Sequence, residues 1–401
     1  MKMRSIGVAN FLAKKLITRS SWGLNLMAIL MIVLVYVNLN FTSSLLNGFV
    51  KTVNDKLVST QTGHIIVLSK TSNGIADASN LMDDIRKISG VEGVTGSRSL
   101  PAQISRGNER SVAEISGIDT ESYGDVFVTP ENMIEGEFLN STDVDKIVLG
   151  AQIAGADRTR LELYSDSLKN VHTGDKVMVS YPGGVKKEYT VKGIFLNKFF
   201  ESDLKSFINN VTFDQVQPGS NIENINIKLE PGVDEQAVIG EISKLNSDLQ
   251  FRTWEERAGF VRGFTDTLDI VNRILRSVAL LVAAVTIFIV TYVDLVNKRR
   301  QIGIERAIGI NSSTIIISYL IRAFFYTIIG SFIGVILFVG VVVPIERIYP
   351  FTFPYGEVFL VVDPGFMLTN VLILIGVGLV SALLPAWRSM RISIIEAIWG
   401  N

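Results

Sequence analysis

The side chains that could do chemistry in this 401-residue chain are few, and their spacing argues against catalysis. Cys is absent and only two His occur, His64 and His172, which excludes disulfides, thiolate nucleophiles, acylation of a cysteine and a multi-His metal site. The adjacent acids Asp83-Asp84 and Glu255-Glu256 have the composition of an acid–base pair. Both pairs fall in predicted helices, where neighbours point about 100° apart and cannot share one substrate atom, so they read as solvated faces. Ser, His and Asp occur without a nucleophile-elbow pattern, which leaves a hydrolase reading unsupported. Pro182-Gly183-Gly184 lies between two predicted strands rather than between a strand and a helix, and no P-loop pattern occurs, so the chain does not bind ATP through one. The informative chemistry is ionic and amphipathic. It centres on Lys298-Arg299-Arg300-Gln301-Ile302-Gly303-Ile304-Glu305-Arg306-Ala307-Ile308-Gly309-Ile310-Asn311-Ser312-Ser313, a predicted short helix with Gly309 as its stop and Asn311, Ser312 or Ser313 available to cap the next helix.

The elements around that helix set its environment. With 48% hydrophobic and 19% charged residues, the chain is too apolar for an ordinary soluble protein and too charged to lie wholly in a membrane. The expected fold is a membrane protein with four transmembrane helices and a large extracytoplasmic α+β domain between the first two. The spans are placed at 23–46, 277–297, 314–343 and 367–386, the short helix at 298–313 and an outer loop at 344–366. Segments 1–22 and 387–401 are placed on the cytoplasmic side. Residues 1–22, 297–311 and 387–401 together carry 11 Lys+Arg and 2 Asp+Glu, which puts both termini and the short helix inside. Residues 46–270 carry 23 basic and 33 acidic residues. The first apolar run is longer than a signal-peptide core of ~7–15 residues and lacks a clear cleavage site, so it is expected to stay as a helix.

Beyond the first span, Leu46, Val50, Val53 and Leu57 continue a helical stripe through 47–60. At 254–276, Trp254, Val261, Phe264 and Leu268 form a heptad seam leading into the second span. The two read as stalks able to pair. Alternation and helical spacing give strand–helix–strand patterns in 61–119 and 215–253, a split subdomain, around a β-rich insertion at 120–214 containing a hairpin at 176–195. Within the spans, Asp294 and Arg322 suggest a mutual ion pair or snorkelling before any transport role. Asn25, Asn38 and Asn40 suggest packing hydrogen bonds, and Gly330, Gly334, Gly376, Gly378 and Ala382 allow close helix contacts, within the chain or between copies.

Residues 298–309 resemble the cytoplasmic loop motif of the FtsX-like, MacB-type ABC transporter permeases, with Gln301 where Glu is usual and Glu305 where an apolar residue is usual. Leu384-Pro385-Ala386-Trp387-Arg388-Ser389-Met390-Arg391 through Ile398 is similar to the family's ending, with Ser393-Ile394-Ile395 where Pro is common. Ser44 to Phe49 with Gly63-His64-Ile65 resembles the lipoprotein-releasing branch, and Glu135 to Leu139, Ile147 to Gly150 and Gly174 to Val177 resemble phrases of the family's outer domain. The resemblance implies a non-catalytic permease in a cell membrane, working as a homodimer or heterodimer with cytoplasmic ABC ATPase subunits that carry ATP and Mg. No cofactor is expected on the chain itself. It implies that the helix at 298–313 receives the ATPase stroke and that the stalks relay it outward, moving a lipid, lipoprotein, peptide or drug. A signalling permease acting on an outer partner such as a cell-wall hydrolase is the alternative. Arg299, Gln301, Glu305 and Arg306 are then expected to face the ATPase, with Ile302, Ile304 and Ile308 filling its groove or the membrane edge and Gly303, Ala307 and Gly309 completing the motif. Anionic lipid is a further expected partner for the basic residues, and nucleic acid is not expected.

Overall fold

The structure is a computed structural model, and it describes all residues except 1, 20–21, 71–73, 156–165, 247, 258, 354–355 and 400–401. Two compact units share the chain: Met1–Phe49, Thr265–Phe351 and Val358–Asn401 form one, and Val50–Phe264 with Thr352–Glu357 form the other.

The first unit is helical. In chain order it contains α1 (Lys2–Arg19), the start of α2 (Trp22–Leu57), most of α10 (Gly259–Asn297), α11 (Arg299–Ala307), α12 (Ser312–Leu337), α13 (Val343–Ile348), α14 (Pro364–Ser389) and α15 (Ile394–Trp399). Among the described residues four helices are long and apolar enough to cross a membrane, at Trp22–Thr62, Thr267–Asn297, Ser312–Ile348 and Pro364–Ser389. Their packing depends on missing side chains. A Cβ on Gly330 would lie 2.7 Å from Ile32, one on Gly334 would lie 2.7 Å from Tyr36, and one on Gly378 would lie 2.5 Å from Thr327. These glycines therefore seat α12 on α2 and α14 on α12 within one chain, whereas Gly376 faces open space. Asp363 starts α14 as a cap, its Oδ1 accepting from the Gly365 N–H at 2.8 Å and the Phe366 N–H at 3.3 Å.

The second unit is built on one sheet. Its elements are β1 (Ile65–Ser69), α3 (Ala78–Ile85), β2 (Val91–Arg106), β3 (Glu109–Ile118), α4 (Tyr123–Val126), β4 (Met133–Gly136), β5 (Lys146–Gly150), α5 (Ala151–Ala154), β6 (Lys176–Ser180), β7 (Lys186–Phe195), α6 (Phe200–Asp203), β8 (Lys205–Asn209), α7 (Asn210–Val216), β9 (Asn224–Leu229), α8 (Glu235–Leu245), β10 (Leu249–Thr253) and α9 (Trp254–Arg257). The order is β10-β1-β9-β2-β3-β8-β5-β7-β4, with β6 pairing to β2 and β7. A hairpin of β11 (Phe351–Phe353) and β12 (Gly356–Val358) makes a separate two-stranded sheet.

The expected strand–helix–strand halves interleave rather than lie side by side. Strand β9 runs antiparallel between β1 and β2, and β1 runs antiparallel between β9 and β10. Apolar residues of α3 and α8 close that half over Ile65, Val94, Ile225 and Ile227. Strand β2 is long enough to serve both halves: Val94 belongs to this core, while Ala102 and Ile104 join Ile147, Val177 and Val191 in the core of the inserted lobe. Residues 97–118, placed by sequence with the split subdomain, thus also build the insertion, because β2 and β3 stay paired from Ser97–Ile118 to Arg106–Glu109.

The seam at the second stalk differs from expectation. Trp254 opens α9, and its indole Nε1 donates to Glu235 on α8 at 2.9 Å, so its ring leaves the heptad stripe for the surface of the split subdomain. The side chains of Val261 and Phe264 lie outside those described. Leu268 is half-buried on α10, as are Leu46 and Val50 on α2, while Val53 and Leu57 are buried.

Candidate coupling site

Helix α11 begins directly after α10 and ends where its sequence predicts. Gly309 adopts φ +96°, a conformation costly for any side chain, and the Ile310 N–H closes back on the Glu305 carbonyl at 3.0 Å. Asn311 sits at the N-cap of α12 in extended conformation, without a side-chain cap bond.

The four residues expected on one docking face divide between two. Arg306 Nη1 donates to the Ile392 carbonyl at 2.6 Å and Arg299 Nη2 lies 3.6 Å from Glu396 Oε1, so both arginines clasp the tail that carries α15. Gln301 Nε2 donates to Glu305 Oε1 at 2.9 Å on another side, where both line a cleft of about 250 Å³ with Phe11 and Lys15 of α1. The cause is the helical step of about 100° per residue: positions 299 and 306 nearly eclipse, and 301 and 305 fall well over a quarter-turn away. Ile302 is turned inward, packed with Leu16, Leu295, Ile315, Tyr319 and Met390, and Gly303 is buried beside it. The surface left free is a ridge of Arg300, Ile304, Ala307 and Ile308, with Ile304 49% and Ile308 75% exposed. Arg300 had no place in the expected site, although the helical wheel alone places it on that ridge.

A buried charge cluster underlies the helix. Arg322 Nη1 donates to Asp294 Oδ2, each side chain being 3% exposed, and Lys298 Nζ lies 3.2 Å from Asp294 Oδ1. Tyr319 OH donates to Asp294 Oδ2 at 3.2 Å. Arg322 also donates from Nη2 to Asn25 Oδ1 at 2.8 Å and from Nε to Tyr326 OH at 2.5 Å, and Tyr326 OH donates onward to Asn25 Oδ1. Asn25 Nδ2 donates to the Ile17 carbonyl of α1 at 2.9 Å. The ion pair expected from sequence is thus present, and it joins α2, α10 and α12, with α1 tied in. Removing one member would strand a charge where water is scarce.

A second polar chain crosses the same unit. Arg276 Nη2 donates to Asn370 Oδ1 at 2.9 Å, Asn370 Nδ2 to Asn40 Oδ1 at 3.1 Å, and Asn40 Nδ2 to the Tyr36 carbonyl at 2.8 Å. Asn40 thereby makes the expected packing bond, while Asn38 is exposed. Arg276 and Asn370 escaped the sequence reading: Arg276 lies at the outer edge of its apolar run, where a charge is ordinary, and Asn370 carries no spacing signal.

The geometry is that of a helical membrane unit with a short inter-span helix, joined to an α+β domain inserted between spans. Comparison with known proteins agrees: a model described as the MacB-like periplasmic core domain matches residues 26–245, and one described as the FtsX-like permease C-terminal matches 274–394. The chain belongs to the MacB-like, FtsX-like family of ABC transporter permeases. Among relatives, it is 22% identical over 324 residues to a macrolide export ATP-binding/permease protein MacB of Aeromonas hydrophila, covering 77% of this chain and 46% of that protein. It is 23% identical over 279 residues to an uncharacterized ABC transporter permease of Methanocaldococcus jannaschii, covering 67% of this chain and 65% of that one. The chain spans less than two thirds of the length of either. The crystallised periplasmic region of MacB from Actinobacillus actinomycetemcomitans is 14% identical, covering 51% of this chain and 95% of that one, with a TM-score of 0.36.

Proposed function

We propose that this chain is the transmembrane subunit on which a separate cytoplasmic ABC ATPase acts, and that ATP and Mg are held by that ATPase rather than by this chain. The observation that carries the reading is the free ridge Arg300, Ile304, Ala307 and Ile308, an apolar strip with one cation on a helix held by the α15 tail through Arg299 and Arg306 and by α1, α10 and α12 through Ile302. A helix fastened in this way moves together with the helices that hold it. An ATPase docking on the ridge thus pushes α10 and α12 as a body. In this reading Arg299 and Arg306 position the tail, Gln301 and Glu305 set the side toward α1, and Ile302 and Gly303 anchor the helix in the unit. Both termini then face the cytoplasm and the periplasmic-type domain faces outward, in a cell membrane, with two permease copies sharing the ATPase pair. Continuity of α2 from Trp22 to Leu57 supplies a relay for the stroke, and the transported class is a lipid, lipoprotein, peptide or drug.

Co-purification with a co-expressed ABC ATPase tests this. The double substitution Ile304→Glu and Ile308→Glu changes only exposed side chains and is expected to reduce recovery of the ATPase at least tenfold without altering thermal unfolding. Undiminished recovery would overturn the assignment of the ridge.

A further inference from the structure

We propose that the groove between the α11-proximal ends of α10 and α14 is a site for one anionic phospholipid. It has a volume of about 1240 Å³. Its walls are apolar and open sideways: Phe288 and Val296 on α10 face Leu384 on α14, and these are exposed in the chain by 39%, 52% and 58%. Toward the helix ends the lining changes to Trp387, Arg388 and Arg391. The Arg391 guanidinium lies 3.8 Å from the centroid of the Trp387 ring. Neither Arg388 nor Arg391 has a carboxylate partner among the described residues. The groove's single acid, Glu396, is engaged by Arg299 at 3.6 Å.

The order of these features matches one kind of molecule. Along the spans the groove is apolar and open to the bilayer, and at the interface it offers an aromatic ring and two unneutralised guanidiniums. A phospholipid has the same sequence of acyl chain, interfacial glycerol and phosphate. Guanidinium binds phosphate through paired N–H donors, and a headgroup without a cation of its own leaves the phosphate charge to both arginines. A protein segment would need a run of apolar residues ending in acids. The site lies in whichever leaflet holds Asn297 and Trp387, so the inference does not depend on the orientation of the chain or on the ATPase.

Native mass spectrometry of the full chain, released from detergent after exposure to phosphatidylglycerol and phosphatidylcholine of identical acyl chains, measures the site. One phosphatidylglycerol should be retained in preference to phosphatidylcholine. Arg388→Gln with Arg391→Gln should weaken that preference about thirtyfold, the loss of two basic attractions near the surface. Leu384→Trp, which fills the apolar part, should reduce retention of both lipids. Arg110→Gln, on the exposed edge of β3, should change nothing. Should the arginine pair destabilise the chain, Leu384→Trp and the single Arg388→Gln still decide the matter, since both alter exposed positions. Equal retention of the two lipids, a preference that survives the arginine substitutions, or complete displacement by inorganic phosphate at the lipid's concentration would overturn the proposal. So would adducts confined to monomer peaks while dimers carry none, because a second copy would then fill the groove.

Discussion

Two aspartates, one in each unit, are buried to the same depth and satisfied by opposite means. Asp294 and Asp203 are each 2% exposed. Asp294, in a membrane span, is held by Arg322, Lys298 and Tyr319. Asp203, at the end of α6, accepts from the backbone N–H of Asn197 at 2.8 Å and of Phe199 at 3.3 Å, and no cation lies within ion-pair distance among the described residues. Burial pushes the Asp203 carboxyl up to about 7, against the pull of those N–H groups and of the more distant Lys56. Asp143, a third buried aspartate, shows what cations do in the same unit: burial raises it, but hydrogen bonds from Lys146 and Lys192 carry it below its ordinary value. In the span the charge is kept and paired with cations. In the sheet unit the choice between a cation and a proton is open, and this fold uses both.

Three measurements can break or sharpen that contrast. The largest effect is expected for Asp294→Ala, which leaves Arg322 buried without its anion and should cost about 3–5 kcal/mol in a detergent unfolding assay. Removing both charges, as Asp294→Ala with Arg322→Met, should restore most of it. A nearly neutral single substitution would mean that the pair does not fasten these helices. Next comes the pH dependence of Asp203. Its unfolded carboxyl titrates near 3.9 and its folded one at about 7, so between these values the folded chain keeps a proton that the unfolded chain releases. The stability it contributes is full below about pH 4 and falls as pH rises through 7, by on the order of 4 kcal/mol. Asp203→Asn should therefore flatten the fall of the melting temperature between pH 5 and 8, and an unchanged slope would refute the raised value. Asp143 has the opposite sign: its contribution is present above the unfolded value and is lost as pH falls below it. Smallest is Asn370→Leu, which cuts the chain from Arg276 to Asn40 at two bonds and should cost about 1 kcal/mol, at roughly 0.6 for each such bond between membrane helices.

How much of this was legible in the sequence depends on whether a side chain announces its need for a partner. Asp294 and Arg322 do so, since an ionised group in an apolar run must pair or snorkel, and of those two expected outcomes the fold adopts the pair. The glycines at 330 and 334 announced a close contact but not its owner, which proved to be α2 of the same chain. The four spans and the order of strands flanking the insertion followed from periodicity. What periodicity could not give was the use of β2 by two cores, because the strand has no regular alternation: Gly93 to Gly96 are all buried, and only Ala102 and Ile104 alternate with exposed neighbours. Trp254 misled for a different reason. It fits a heptad, yet its N–H wants an acceptor, and Glu235 lies 19 positions earlier on another element. At α11 the helical wheel contained the answer: Arg299 and Arg306 cannot share a face with Gln301 and Glu305. Expecting all four on one surface came from the resemblance rather than from the geometry of the helix. The grip of the tail on those arginines depends on residues 392 and 396 and has no local signal.

The bonds that hold α2 in place join residues made far apart in time. Asn25 meets Arg322 across 297 positions, and Asn40 meets Asn370 across 330. At about 5–20 residues per second, synthesis takes on the order of 15–60 s to cover that distance. Throughout this interval the oxygens of these two amides on α2 wait for donors that do not yet exist, and most of the sheet unit is produced in the meantime. A ribosome stalled after α12 would leave Arg322 able to reach Asn25 while Asn40 still waited. Helix α2 is therefore made long before it is finished, and a chaperone or insertase that shelters polar side chains would find its longest task there.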